Sequence, residues 1–148
     1  MDYDKLTLEE IKKGYCFDPE EKAYVCNYCE HIFQLGHVYP ISGSFFEPEQ
    51  AAAKHIEEDH RGQLRQLLRN DTRYSTLTDK QKELLTLIHS GMSDDEIAKE
   101  LGISVSKIRR QKFTFREKAK QAKLYLAIFE CVFEDEGVNE KTDDLVYK

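Results

Sequence analysis

The sequence has no tryptophan and only three prolines among its 148 residues. It also has no apolar run near the ~18 residues that a membrane span requires. The opening stretch MDYDKLTLEEIKK is acidic and amphipathic, without the apolar segment of a secretory signal. An intracellular, cytoplasmic protein is expected, with no membrane partner. In that setting the four cysteines, Cys16, Cys26, Cys29 and Cys131, are not expected to form structural disulfides. There is no glycine-rich phosphate loop, nucleophile–base arrangement or recognisable receiver domain, and no internal repeat or low-complexity tract. A binding protein is therefore expected rather than an enzyme.

Charge is present but unevenly spread. The net charge is −6. Residues 1–60 hold five basic and thirteen acidic side chains, and residues 124–148 hold two and seven. Between them, residues 104–123 carry eight Lys or Arg against one Glu. A block this basic in an acidic chain is either a solvated face or a surface for a polyanion. If the chain binds nucleic acid, it does so through this block.

Local signals divide the chain. Thr7 and Glu10 form a capping box with Leu6 and Ile11 as a hydrophobic staple, predicting a helix over 8–13 that ends at Gly14. Tyr24-Val25 reads as a short strand. Val38–Ile41 and Ser44–Phe46 flank Ser42-Gly43 as a hairpin. Pro48 suits the first turn of a helix running to about Asp59, and Leu64, Leu67 and Leu68 suggest another to about Asn70. The polar stretch 70–76 is taken as the boundary between a zinc-finger-like domain, 1–70, and a helical domain, 71–134, followed by an acidic tail, 135–148. In the second domain Thr78/Gln81, Ser93/Glu96 and Ser104 start three helices, with Gly91 and Gly102 ending the first two. No Pro or Gly interrupts 105–133, so the third helix can run far. The expected fold class is mainly α with a small α+β zinc-binding domain.

Cys26-x2-Cys29-x25-His55-x4-His60 is the first chemical pattern. Two thiolates from a knuckle and two imidazoles from a helix packed across it supply a tetrahedral zinc site. Five residues on an ideal helix turn 500°, about 140° away from superposition. His60 must therefore lie where the helix has loosened, just before Arg61-Gly62. His31 and His37 are the alternative ligands. A redox pair would need its CxxC at the start of a helix in a βαβ unit, which is not indicated here. A catalytic zinc, with Glu57, Glu58 or Asp59 as base in a small hydrolase, would keep an open position. Four protein ligands close the site, so a structural Zn2+, one per chain, is expected.

The stretch SDDEIAKELGISVSKIRRQ, 93–111, is the second pattern. Ala98 and Gly102 allow two helices to cross closely, and Ile97, Leu101, Ile103 and Ile108 fall where they bury a shared core. The DNA-facing set is then Ser106, Lys107, Arg109, Arg110, Gln111, Lys112, Arg116 and Lys118, with Lys120 beyond. Residues 77–119 resemble the LuxR-type C-terminal helix-turn-helix, itself akin to region 4 of bacterial sigma factors. The matching residues are Leu77-Thr78, Leu84-Leu85, Leu87, Gly91-Met92-Ser93, Glu96-Ile97-Ala98, Leu101, Ile103-Ser104, Ile108-Arg109 and Lys118. The resemblance implies a tetrahelical DNA-binding domain that often dimerises through its last helix. The chain departs from the family at Lys80-Gln81, at Asp94-Asp95, which would repel phosphate, and at Gln111, which can read adenine.

LYLAIFECVF, 124–133, is apolar almost all round a helix. It is expected to pair with a second copy; packing back on its own domains is the alternative. Together these readings describe a bacterial-type, nucleoid-associated regulator binding double-stranded DNA as a homodimer. A zinc-responsive regulator and an RNA-polymerase-binding adaptor are the other possibilities. The acidic N-terminal domain would contact a protein partner or the other subunit, or set the spacing of two DNA-binding units.

Overall fold

The computed structural model describes residues 1–69 and 72–138. The chain is α+β. It divides into two compact units, Met1–Lys82 and Glu83–Lys148, each described separately below.

The first unit opens with α1 (Leu8–Lys13), closed at its start by the reciprocal Thr7–Glu10 capping box and at its end by Gly14. A three-stranded antiparallel meander follows: β1 (Tyr15–Asp18), β2 (Ala23–Cys26) and β3 (Ile32–Gln34), in that spatial order. β1 and β3 were not legible as strands, because runs this short owe their form to pairing with β2. Tyr15 lies opposite Cys26 and Phe33 opposite Tyr24. β4 (Tyr39–Ile41) and β5 (Ser44–Phe46) make the expected hairpin. Its two turn residues, Ser42 and Gly43, both have positive φ, 49° and 82°. That is what a tight turn needs if its twist is to match the strands.

α2 (Pro48–Glu58) lies across β2 and β3. Pro48 opens it, where a missing N–H costs nothing. Ala51 and Ala52 are fully covered, and their small side chains let the helix backbone approach the sheet. Tyr15, Cys26, Phe33 and Ile56 complete this core. α3 (Gln63–Arg69) follows as expected, and a short α4 (Thr72–Ser75) occupies part of the stretch read as a polar turn. Tyr74 meets the Tyr3 ring edge-on, centroids 5.2 Å apart.

α5 (Asp79–His89) begins in the first unit and continues into the second; the division between the units runs within it. Thr78 and Gln81 cap its start reciprocally. α6 (Asp94–Leu101) carries the Ser93–Glu96 capping box and ends at Gly102, φ 63°. α7 (Val105–Val138) is unbroken. It thus continues through 135–138, assigned to the acidic tail from sequence; the rest of that tail, 139–148, lies outside the described residues. Leu84, Ile97 and Ile108 form the buried centre of α5, α6 and α7, ringed by Leu87, Ile88, Met92, Ala98, Leu101, Ile103 and Phe115.

The large apolar side chains from Leu124 to Phe133 are exposed, from 41% for Leu126 to 74% for Tyr125. They do not pack on the Leu84, Ile97 and Ile108 core of their own unit. The helix carries them clear of the three-helix core, whose contacts end near Phe115. No described helix is long and apolar enough to cross a membrane.

Candidate functional site

The turn from β2 to β3 is the knuckle. The Cys26 N–H donates to the His31 carbonyl at 2.9 Å, and the Glu30 N–H to the Cys26 carbonyl at 3.1 Å. Glu30 takes φ 60° to complete the reversal. This folding points both sulfurs the same way. The Tyr28 amide donates to Cys26 Sγ at 3.4 Å. Burial pushes the Cys26 thiol pKa up, while the Tyr28 and Cys29 amides pull it down. The same donors stabilise a thiolate once a metal supplies the charge.

α2 delivers the two imidazoles. His55 lies in its last turn. Beyond Glu58 the helix ends in a reversal: the Gly62 N–H donates to the Ile56 carbonyl at 3.0 Å, with Arg61 at φ 58° and Gly62 at φ 91°. His60 falls inside this reversal, off the helix, as its spacing from His55 requires. The two Nε2 atoms are 3.1 Å apart. Cys29 Sγ is 3.1 Å from His55 Nε2, and Cys26 Sγ is 3.4 Å from His60 Nε2. One ligand atom from each of the four residues lies within 4.8 Å of the others, a grouping that can hold a metal ion.

The other histidines stay out of this group. His31 stacks on the His55 ring, centroids 5.1 Å apart, and His37 on Tyr39 at 6.4 Å. The neighbouring acids are also accounted for. Asp59 reaches His55 Nδ1 at 2.6 Å, on the side of the ring away from the sulfurs. A carboxylate there fixes the tautomer and leaves Nε2 free as a donor to metal. Burial pushes the His55 pKa down against the opposing pull of Asp59. Glu58 accepts from the Ser42 hydroxyl, and Glu57 pairs with Lys54. None of these contacts aims a carboxylate into the cluster. The Asp59–His55 contact was missed from sequence although its i,i+4 spacing on a helix makes it readable.

Further contacts brace the knuckle. Asn27 donates from its side chain to the Glu10 carbonyl at 3.0 Å and from its backbone to the Gly14 carbonyl at 2.9 Å. Gln63 accepts from the Tyr28 hydroxyl at 2.9 Å and donates to the Ile11 carbonyl. The end of α1, the knuckle and the start of α3 are thereby tied together.

On α7, the N-terminal half presents its cations unevenly. Lys107, Arg109, Arg110, Arg116 and Lys118 are exposed, as is Ser106, whose hydroxyl lies 3.1 Å from that of Ser104. Gln111 and Lys112 are only half-exposed. Lys112 pairs with Asp94 at the start of α6, and Arg109 Nε lies 3.8 Å from the same carboxylate. Asp94, read from sequence as a repulsive group, is turned toward α7. Nothing in the spacing reveals this, because it depends on how the two helices cross.

No family model matches this chain, and no curated protein or solved structure matches it significantly.

Proposed function

We propose that the chain is a sequence-specific DNA-binding transcriptional regulator whose N-terminal unit is held by a structural zinc ion. One observation carries the DNA reading. α6, the Gly102 turn and the start of α7 close on the fully buried Ile97 and Ile108, while α7 turns Lys107, Arg109 and Arg110 to solvent. This is the build of a helix-turn-helix whose second helix enters the major groove. The packing of α5, α6 and α7 on one core supports the LuxR-like reading, with the unbroken α7 in place of a separate fourth helix. Arg109 and Arg110 reach bases or phosphates; Lys107, Arg116 and Lys118 meet phosphates.

Zinc is the metal that a closed set of two thiolates and two imidazoles suits best. The cluster supports this set, with Cys26, Cys29, His55 and His60 as ligands. A second copy is the proposed partner of α7. Ala119, Ala122, Leu126, Phe129 and Phe133 recur at alternating spacings of three and four, a heptad seam. Its outer residues Leu126, Phe129 and Phe133 are exposed in the single chain.

The test is fluorescence anisotropy of zinc-loaded protein on labelled duplex DNA across a salt series. Wild type is expected to bind with log K falling steeply against log salt, and Arg109→Ala/Arg110→Ala to bind more weakly with a shallower slope. Indistinguishable curves would refute the assignment. Co-purification with RNA polymerase without duplex binding would establish the adaptor reading instead.

A further inference from the structure

Phe113 is 60% exposed, although it lies in the N-terminal half of α7 between residues that pack on α5 and α6. Phe115, two positions on, already serves that packing. At ~100° per residue, Phe113 lies roughly 140° round the helix from buried Ile108. Arg109, Arg116 and Lys120 fall about 80–120° round, and Arg110 about 200°. Phe113 therefore stands in the middle of the basic face, one turn along from Arg109 and Arg110. Its neighbour Lys112 is drawn away to Asp94. The centre of the face is thus an aromatic ring bordered by cations, not a cation.

A ring in that position meets base edges when the flanking cations meet phosphates. The edges in the major groove are donors and acceptors with one apolar exception, the 5-methyl group of thymine. We propose that Phe113 is a specificity-determining residue that packs its ring on a thymine methyl in the bound site. The inference rests on the reading of α7 as the helix that enters DNA. The contacted thymine lies within the base pairs spanned by the Arg109–Arg110 pair and Arg116.

The experiment uses the full chain supplemented with zinc. Duplexes are selected from a random pool, and the selected site is remade with each thymine in turn replaced by deoxyuridine, which removes only the methyl. Wild type and Phe113→Ala are titrated on every probe. Wild type is expected to lose about fourfold in affinity at one thymine, the ~0.8 kcal/mol of a buried methyl group converted at 1.4 kcal/mol per tenfold. Phe113→Ala is expected to bind the two versions of that position equally, with an unchanged salt slope because no phosphate contact is lost. Discrimination that survives in Phe113→Ala, or wild type indifferent to every replacement, overturns the assignment while leaving DNA binding intact. A wild type that selects no sequence, and that Arg109→Ala/Arg110→Ala matches, overturns the DNA reading and this inference with it.

Discussion

Removing a metal ligand should unfold the first unit, and the ligand set can be tested one histidine at a time. The large side chains buried in that unit's core are Tyr15, Phe33 and Ile56. At roughly 2 kcal/mol each, they contribute about 6 kcal/mol. A core this small depends on another source of stability. A structural zinc site contributes an apparent ~10–16 kcal/mol at neutral pH. Cys29→Ala and His60→Ala should therefore lose stoichiometric zinc, together with the near-ultraviolet dichroism of the tyrosines around the knuckle. His31→Ala and His37→Ala should keep one zinc per chain, because His31 only stacks on His55 and His37 on Tyr39. The assay is metal content after exhaustive dialysis, paired with thermal melts. Tightly bound metal in His60→Ala, its loss from His31→Ala, or identical melts of chelated and loaded wild type would refute this ligand set. Weak, reversible zinc whose removal abolishes DNA binding without unfolding would instead mark a zinc-responsive regulator.

Three further outcomes are expected. Gly14 has φ 86°, and a Cβ there would run into the Gln63 side chain and lie 3.2 Å from Ile56 Cδ1. Gly14→Ala should cost about 1–3 kcal/mol, read as a lower melting temperature of the zinc-loaded protein; an unchanged value refutes the tie between α1 and α3. Burial and the Glu49 carboxylate push the Tyr15 phenol up to about 12. Its folded pKa exceeds the unfolded value of about 10, so its contribution is complete below pH ~10 and is lost as pH rises toward about 12. Absorbance at 295 nm should show a late-titrating phenol that Tyr15→Phe removes; titration of Tyr15 at the ordinary value would disprove this. Phe129→Lys should convert a wild-type dimer to a monomer in sedimentation equilibrium, by burying an unpaired charge in the α7 seam. A wild type that stays monomeric at high concentration argues against self-association.

Much of the candidate metal site was legible because its signals are local. A CxxC outside a βαβ unit fits a knuckle, Pro48 starts a helix, and the spacing from His55 to His60 requires the helix to have ended before His60. The capping boxes Thr7–Glu10 and Ser93–Glu96 likewise mark their helices, since each residue acts within one turn of its partner. β1 and β3 escaped notice for the opposite reason: β4 and β5 are as short but flank the turn residues Ser42-Gly43, whereas β1 and β3 take their form from pairing with β2.

The sequence by itself determined where the capped helices start, which cysteines and histidines are candidates to chelate a metal, and which twenty-residue block is basic. These properties follow from the chemistry and spacing of neighbours along the chain. Only the tertiary structure decided that His60 and not His31 joins His55, because both are within reach in sequence and differ only in where their rings point. It also decided that Asp94 faces Lys112 and Arg109, and that Phe113 stays exposed among the cations of α7. That outcome depends on how α6 and α7 cross, and a crossing is fixed by packing at Ile97 and Ile108, residues whose partners lie on other helices.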